Sequence, residues 1–278
     1  MSKKQKDPRY STDDLPPIKN LFLYCYFSFM KLFFFLFFGV GSFFLAVVVI
    51  PLMKLCIHPA DRFKRAGRRF ISATFRFFIN FMRITGVISL RVDDREKFKH
   101  LNSKVIIANH PSILDVVFII SLVPNADCIV RGGLTKTVVA GIINRIYIVN
   151  SLGYDQMVEL SRESLQTGSN LIIFPEGTRT PRHGTNPYKR GAAHIAYEAN
   201  CNVLPLYIGG TDKYGLGKHD PWFSYNRTER YLYDIHMLPE IEIAPYKEME
   251  SQIAARKLTA AMHDVIAAEA LARDNRIV

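Results

Sequence analysis

At 278 residues the chain is longer than a typical single domain, yet one catalytic domain and a membrane-attachment segment would account for it. Its formal charge of +11 points to anionic partners, whether nucleic acid, lipid headgroups or phosphorylated substrates, without choosing among them. The four cysteines, Cys25, Cys56, Cys128 and Cys201, lack CxxC or Cys/His ligand spacing, which argues against a zinc site or a disulfide framework and fits a reducing, cytosolic catalytic domain.

In chain order, the polar stretch Met1 to Pro17 is expected to be a disordered tail. From Leu32 to Met53 the sequence LFFFLFFGVGSFFLAVVVIPLM carries no charge. Its part before Pro51 would reach about 28 Å as a helix, close to the roughly 30 Å hydrocarbon core of a bilayer. The chain continues Lys54-Leu55-Cys56-Ile57 with no small-residue cleavage site, so this reads as a retained anchor rather than a signal peptide. Lys3, Lys4, Lys6, Arg9 and Lys19 precede it, and Lys54, Arg62, Lys64, Arg65, Arg68, Arg69 and Arg76 follow it. That excess favours a cytoplasmic C-terminal side, although basic residues on both flanks also permit a hairpin that enters one leaflet and returns. Between Asp61 and Arg83, basic residues alternate with Phe63, Phe70, Ile71, Phe75, Phe78, Ile79 and Met82, giving an apolar helix face bordered by positive charge. Such a helix either lies on anionic lipid or packs on the catalytic core. Residues 18–86 are thus expected to form the attachment region.

From Val87 the pattern changes to short apolar runs separated by helical segments, as an α/β domain requires. Residues 87–278 are read as that domain, a mixed sheet flanked by helices. Strands are expected at Val105 to Ala108, Cys128 to Val130, Ile146 to Val149, Leu171 to Phe174, Val203 to Ile208 and Tyr231 to Met237. Helices are expected at Ile113 to Leu122, Gln156 to Gln166 and Lys189 to Ala199. A packing helix without chemistry is expected where Met249, Ile253, Leu258, Met262, Val265 and Ile266 recur at helical spacing.

Asn109-His110-Pro111-Ser112-Ile113-Leu114-Asp115 follows the first of these strands directly. A five-residue separation does not put two side chains on one helix face. With Pro111 at the first helical position, however, His110 becomes a capping residue whose ring turns over the first turn, within reach of Asp115. A carboxylate on one ring nitrogen fixes the tautomer and leaves the other nitrogen free to take a proton from a hydroxyl. Ser112 lacks a G-x-S-x-G elbow and reads as a capping or packing residue rather than a nucleophile. Farther on, Leu171-Ile172-Ile173-Phe174 runs into Pro175-Glu176-Gly177-Thr178-Arg179-Thr180, a turn where glycine permits close approach of a ligand and Arg179 suits a phosphate monoester, with Arg182 as a possible assistant.

Together these segments resemble the glycerolipid acyltransferases, the family of the lysophosphatidic acid acyltransferases, whose NHx4D block is NHPSILD here and whose FPEGTR block is FPEGTR here. The resemblance extends over roughly Lys104 to Ile208 through Lys189-Arg190-Gly191 and Val203-Leu204-Pro205-Leu206. It implies His110 as general base, Asp115 as its orienting partner, and Glu176, Gly177, Thr178 and Arg179 as the acceptor-binding turn. It also implies an acyl-coenzyme A or acyl-carrier-protein donor as co-substrate, no other cofactor and no metal. The lysophospholipid 1-acylglycerol-3-phosphate is the expected acceptor, and a cytoplasmic membrane with the domain facing the cytosol the expected location. The second family block departs from the pattern: Arg131-Gly132-Gly133-Leu134-Thr135-Lys136 has Gly133 where relatives carry glutamate, and Asn150 stands near an arginine that many members use on the acceptor phosphate. Arg131 and Lys136, with Arg145, are expected to form a cationic rim. Another lipid acceptor (an aminolipid, an ornithine-type lipid or a lipid-linked pigment), a thioester hydrolase and a non-catalytic membrane-binding protein are the competing readings. The anchor and the lack of any nucleic-acid motif argue against a nucleic-acid binder.

Overall fold

Strands covered by helices on both sides must be apolar on both faces, and the runs VIIA, NLII and VLPL meet that condition. The computed structural model describes residues 7–130, 132–137, 139–150 and 153–273. In chain order α1 (Leu21–Phe44) passes through a π-helical turn (Leu45–Val49) into α2 (Ile50–Cys56) and is followed by α3 (Ala60–Ile84). Then come β1 (Ile88–Val92), α4 (Arg95–Lys99), β2 (Val105–Ala108), α5 (Asp115–Leu122), β3 (Ala126–Val130), α6 (Ala140–Ile146), β4 (Ile148–Val149) and α7 (Tyr154–Gln166). The chain continues with β5 (Asn170–Ile173), α8 (Gly191–Ala199), β6 (Val203–Gly210), β7 (Tyr231–Met237), α9 (Ala244–Lys247) and α10 (Ser251–Arg273).

The strands form one seven-stranded sheet in the order β1-β7-β6-β2-β5-β3-β4, in which only the β6/β7 pair is antiparallel. Successive side chains of a strand point to opposite faces, so Ile106 and Ala108 of β2 join Phe34, Ile71, Phe78 and Phe118 on one side. Val105 and Ile107 join Leu165, Ala193, Leu258 and Met262 on the other. The helices α1, α3 and α5 thus cover one face, and α7, α8 and α10 the other. A buried ion pair between Arg68 and Asp127, 2.5 Å apart and supported by Ser164 and Ser169, ties α3 to the start of β3.

Several expectations shift. The apolar helix starts at Leu21, and Pro51, which has no N–H to donate, is accommodated at the first turn of α2 directly after the wider π turn. Phe63, Ile71, Phe78, Ile79 and Met82 of α3 are buried, so its apolar stripe packs on the protein and leaves most of its basic residues outward. Ile146 closes α6 instead of opening a strand, and the half-exposed edge strand β1 emerges where no strand was expected. Pro8–Tyr10 forms a 3-10 turn, and residues 7–17 are not a free tail: Arg9, Tyr10 and Pro16 hydrogen bond to Thr185, Arg179 and Arg227, so the stretch is held by tertiary contacts rather than by an apolar core of its own. The inward stripe of α1 contains Phe27, Lys31, Phe34 and, beyond it, Ala46 and Ile50. Phe22, Phe29, Phe33, Leu36, Val40 and Phe43 form the outward stripe and are 39 to 79% exposed.

Candidate active site

The carboxyl ends of β2 and β5, adjacent and parallel in the sheet, release the two functional turns side by side. Helix α5 does not begin at Pro111. Residues 111–114 form a turn, and Asp115 is the first residue of the helix with Leu114 as its cap. The reason is local: Asp115 Oδ2 accepts from the Ser112 N–H at 2.7 Å and Ser112 Oγ accepts from the Leu114 N–H at 3.2 Å, so side chains rather than helical carbonyls satisfy this backbone. His110 and Asp115 nonetheless meet, with Nδ1 and Oδ2 2.8 Å apart. Asp115 is fully buried, and its second oxygen accepts from Ser112 Oγ at 2.5 Å. Three donors compensate a charge that burial alone would make costly.

Ser112 Oγ also lies 2.8 Å from the Tyr233 hydroxyl on β7. Burial pushes the Tyr233 phenol well above its ordinary value, so it remains a neutral hydrogen-bonding group. The His110 ring stacks on Phe174 with centroids 4.2 Å apart. A carboxylate on Nδ1 requires that nitrogen to carry the proton, which leaves Nε2 as a lone-pair base.

The second turn is cross-tied to the first. His110 N–H donates to Thr180 Oγ1 at 2.8 Å and Thr180 N–H returns a bond to His110 O at 2.7 Å. Glu176 is buried, one carboxylate oxygen accepting from Thr180 Oγ1 and the other from Asn186 Nδ2 at 2.8 Å. Burial holds its carboxyl above the ordinary range, against the opposing pull of Thr180 and Asn186. Its carboxyl therefore holds the shape of the turn by tying Thr180 to Asn186. Gly177 takes φ +66, a left-handed conformation that favours glycine, and its N–H donates to Phe174 O at 2.9 Å. A Cβ there would stand 2.7 Å from Lys189 Nζ, so the Lys189 ammonium lies over the turn. Thr178 and Arg179 are partly exposed, and Arg179 Nη1 donates to Leu216 O at 3.0 Å and Gly217 O at 2.7 Å. Partial burial lowers the Arg179 guanidinium from its high ordinary value, and it stays charged.

Of the expected cationic rim, Arg131 lies outside the described residues. Lys136 is exposed at the end of a 3-10 turn, Gly132–Lys136, and Arg145 Nη1 donates to Gly141 O at 2.8 Å within its own helix. Asn150 uses its side chain on the Gly132 N–H at 2.8 Å. A cleft of about 360 Å³ borders the turn that carries His110, lined by its neighbours Asn109 and Pro111 and by Thr180, Arg182 and Lys218, with Tyr10 and Asp14 of the N-terminal segment on its wall; His110 and Asp115 themselves are not among its lining residues. Arg182 pairs with Asp212 at 2.5 Å and with Asp14 at 3.8 Å, while the Tyr10 hydroxyl donates to Arg179 O at 3.2 Å. Asn186, Tyr233 and Tyr10 were not singled out by sequence as parts of this site; Ser112 was read as a capping or packing residue and Thr180 as the end of the second turn, without their bonds to Asp115 and His110. For Thr180 a signal existed, since it follows the FPEGTR block directly.

A family model described as Acyltransferase matches residues 89–209. The chain is 26% identical over 117 residues to the 1-acyl-sn-glycerol-3-phosphate acyltransferase of Cocos nucifera, covering 38% of this chain and 37% of that protein. It is 26% identical over 189 residues to the enzyme of that name from Haemophilus influenzae, covering 63% of this chain and 77% of that protein. The match to the coconut protein therefore spans well under two thirds of that protein's length. In fold, the chain is similar to the crystal structure of the 1-acyl-sn-glycerophosphate (LPA) acyltransferase PlsC from Thermotoga maritima, with a TM-score of 0.67 and 18% identity over 90% of this chain and 98% of that one.

Proposed function

We propose that the chain is a membrane-associated O-acyltransferase acting on a lysophospholipid hydroxyl, a reading supported by the match of residues 89–209 to the acyltransferase family model. The acceptor that fits best is 1-acylglycerol-3-phosphate, with phosphatidate as product and acyl-coenzyme A or acyl-carrier protein as donor. The observation that carries this reading is the His110–Asp115 pair, 2.8 Å apart, on a turn that borders an open cleft at the carboxyl edge of the sheet.

In the reaction, His110 Nε2 takes the proton of the acceptor hydroxyl as its oxygen forms a bond to the thioester carbonyl carbon. The tetrahedral intermediate collapses with cleavage of the carbon–sulfur bond, and the departing thiolate recovers the proton from the imidazolium. Asp115 supports the positive charge on the ring in between. Gly177 N–H is engaged with Phe174 O, so oxyanion contacts from this turn fall to its neighbouring amides. Arg179, with Lys189 over the same turn, supplies the positive charge for the acceptor phosphate. The outward apolar stripe of α1 supports membrane association, and the larger number of basic residues after the apolar stretch favours the cytosolic side for the domain.

A different lipid acceptor is favoured by one observation: Asn150 is committed to the Gly132 amide, so the arginine that many relatives place near this position has no equivalent in its side chain. Membranes containing the protein, incubated with labelled acyl donors and a panel of lysolipids, decide between these readings through the mass of the product. Acylated lysophosphatidate is the expected outcome. Release of free fatty acid at the same rate with and without acceptor would identify a hydrolase and sink the proposal.

A further inference from the structure

Lys31 is out of place by composition. It stands in the apolar stretch Leu21–Cys56, and its side chain faces the catalytic domain rather than solvent, with 1% of the residue exposed. A buried ammonium is costly unless its donors are used. Its Nζ donates to Gly215 O at 2.9 Å and to Ser224 O at 2.5 Å, two carbonyls of the segment that connects β6 to β7. Neighbouring contacts hold the same register: Phe27, one turn earlier in α1, stacks on Tyr225 with centroids 5.0 Å apart.

The segment held in this way reaches both functional turns. Asp220 Oδ2 accepts from the Gly215 and Gly217 amides at 2.8 and 2.9 Å and folds the loop into a tight bend. At that bend Leu216 O accepts from Ile113 N–H at 3.0 Å, inside the His110–Asp115 turn, and from Arg179 Nη1 at 3.0 Å. Gly217 O takes a second bond from the same Arg179 nitrogen at 2.7 Å. The far end of the loop carries Trp222, 74% exposed and 6.0 Å from the ring of Phe35 on α1, so its tip lies alongside the apolar helix.

We propose that Lys31 is a positioning residue for the acyl transfer: it locks the apolar helix to the Gly215–Ser224 loop, whose carbonyls at 216 and 217 set the placement of Arg179 beside the His110–Asp115 turn. The proposal rests on the reading of the site as an acyltransferase centre with Arg179 on the acceptor. It gives the apolar helix a part in substrate alignment: loosening the lock misplaces the guanidinium, whose bonds among the described residues run to the loop, more than the base, which keeps its own bonds to Asp115 and Thr180.

Lys31→Met keeps the length of the side chain and removes the donors. In phosphatidylcholine/phosphatidylglycerol vesicles, this variant is expected to raise the KM for lysophosphatidate about tenfold, the scale of a lost charged hydrogen bond, with smaller changes in the donor KM and in kcat. A role confined to folding would lower the active fraction and leave KM unchanged. A second readout needs no activity: phenylglyoxal should modify Arg179 several-fold faster in Lys31→Met than in the wild type, while exposed Arg256 on α10 reacts equally in both. Gly215→Ala attacks the same contact from the loop side, because φ is +95 and a Cβ would meet Ser224 O at 2.6 Å and Lys31 Nζ at 2.9 Å. It should reproduce the signature, and it decides the matter if Lys31→Met does not fold. If the wild type acylates no lysolipid, the functional reading fails while the Arg179 modification rate still tests the lock. Wild-type lysophosphatidate KM together with wild-type Arg179 reactivity in a folded variant would overturn the proposal.

Discussion

His110 and Asp115 are brought together by a turn that Ser112 organises through its amide and its hydroxyl. The pair was legible because both partners lie within one short block after an apolar strand, and the geometry between them is local. The support behind it was not, since Tyr233 stands 121 residues away along the chain and nothing in sequence spacing ties a β7 phenol to Ser112. A positioned base contributes about 10²- to 10⁴-fold, so His110→Ala should lose turnover by that order, with thermal stability and vesicle binding retained. Near-normal turnover in a clean preparation would remove the mechanism. Glu176 offers a test of a different kind. Burial raises its folded pKa above the unfolded one, so its contribution to stability is complete below the ordinary glutamate value and is lost as the pH rises through the folded value. Glu176→Gln carries no such titration. The urea midpoint of the wild type minus that of the variant should therefore fall as the pH rises above the ordinary glutamate value of about 4, and a flat difference would show that the carboxyl is not desolvated.

At the scale of elements, strands β2 and β7 were read from sequence with their observed limits, because their apolar runs are bounded by turn residues. The start of α5 was not, since a propensity argument placed Pro111 at the first helical turn while the side chains of Ser112 and Asp115 captured the backbone instead. Edge strand β1 escaped notice because only part of it is buried and Arg91 interrupts its apolar residues. The FPEGTR turn was legible as a turn, but its ties to Asn186 and to the carbonyls of 216 and 217 depend on loops that carry no periodic signal. Within it, Gly177 is the position where a side chain is least tolerated. Gly177→Ala should cost roughly 1–2 kcal/mol for the left-handed backbone, and the new methyl should push Lys189 away from the turn. The expected result is a lowered melting temperature and a raised acceptor KM with the donor KM little changed. A variant with wild-type stability and wild-type acceptor KM would show that neither the backbone conformation nor the Lys189 contact bears on the site.

At the scale of the whole molecule, the question is how the apolar helix meets a bilayer. It does not stand apart as a free span: Lys31 and Phe34 are buried against the protein, and Ala46 packs so closely on α6 that a Cβ on Gly141 would come within 2.8 Å of its carbonyl oxygen. The opposite side is a continuous apolar stripe, and Phe77 and Ile84 of α3 add to the exposed apolar surface. Covering a large apolar side chain is worth about 1.5–3 kcal/mol, so the six outward residues Phe22, Phe29, Phe33, Leu36, Val40 and Phe43 would together supply on the order of 5–10 kcal/mol on entering a bilayer, after allowing for their partial exposure. The basic residues of α3 add an electrostatic attraction to anionic headgroups, which salt screens to a Debye length of about 3 Å at 1 M. The two contributions separate experimentally. Replacing those six residues by serine leaves the Lys31 lock and the catalytic turns untouched and removes from the inward packing the edge contacts of Phe33 with Phe34 and Phe81. The variant should float with anionic vesicles at low ionic strength and be released at about 1 M salt, whereas the wild type should stay bound at both and require detergent. Tight binding of the variant at high salt would mean that another surface carries the attachment, and release of the wild type by salt alone would mean that the stripe does not enter lipid.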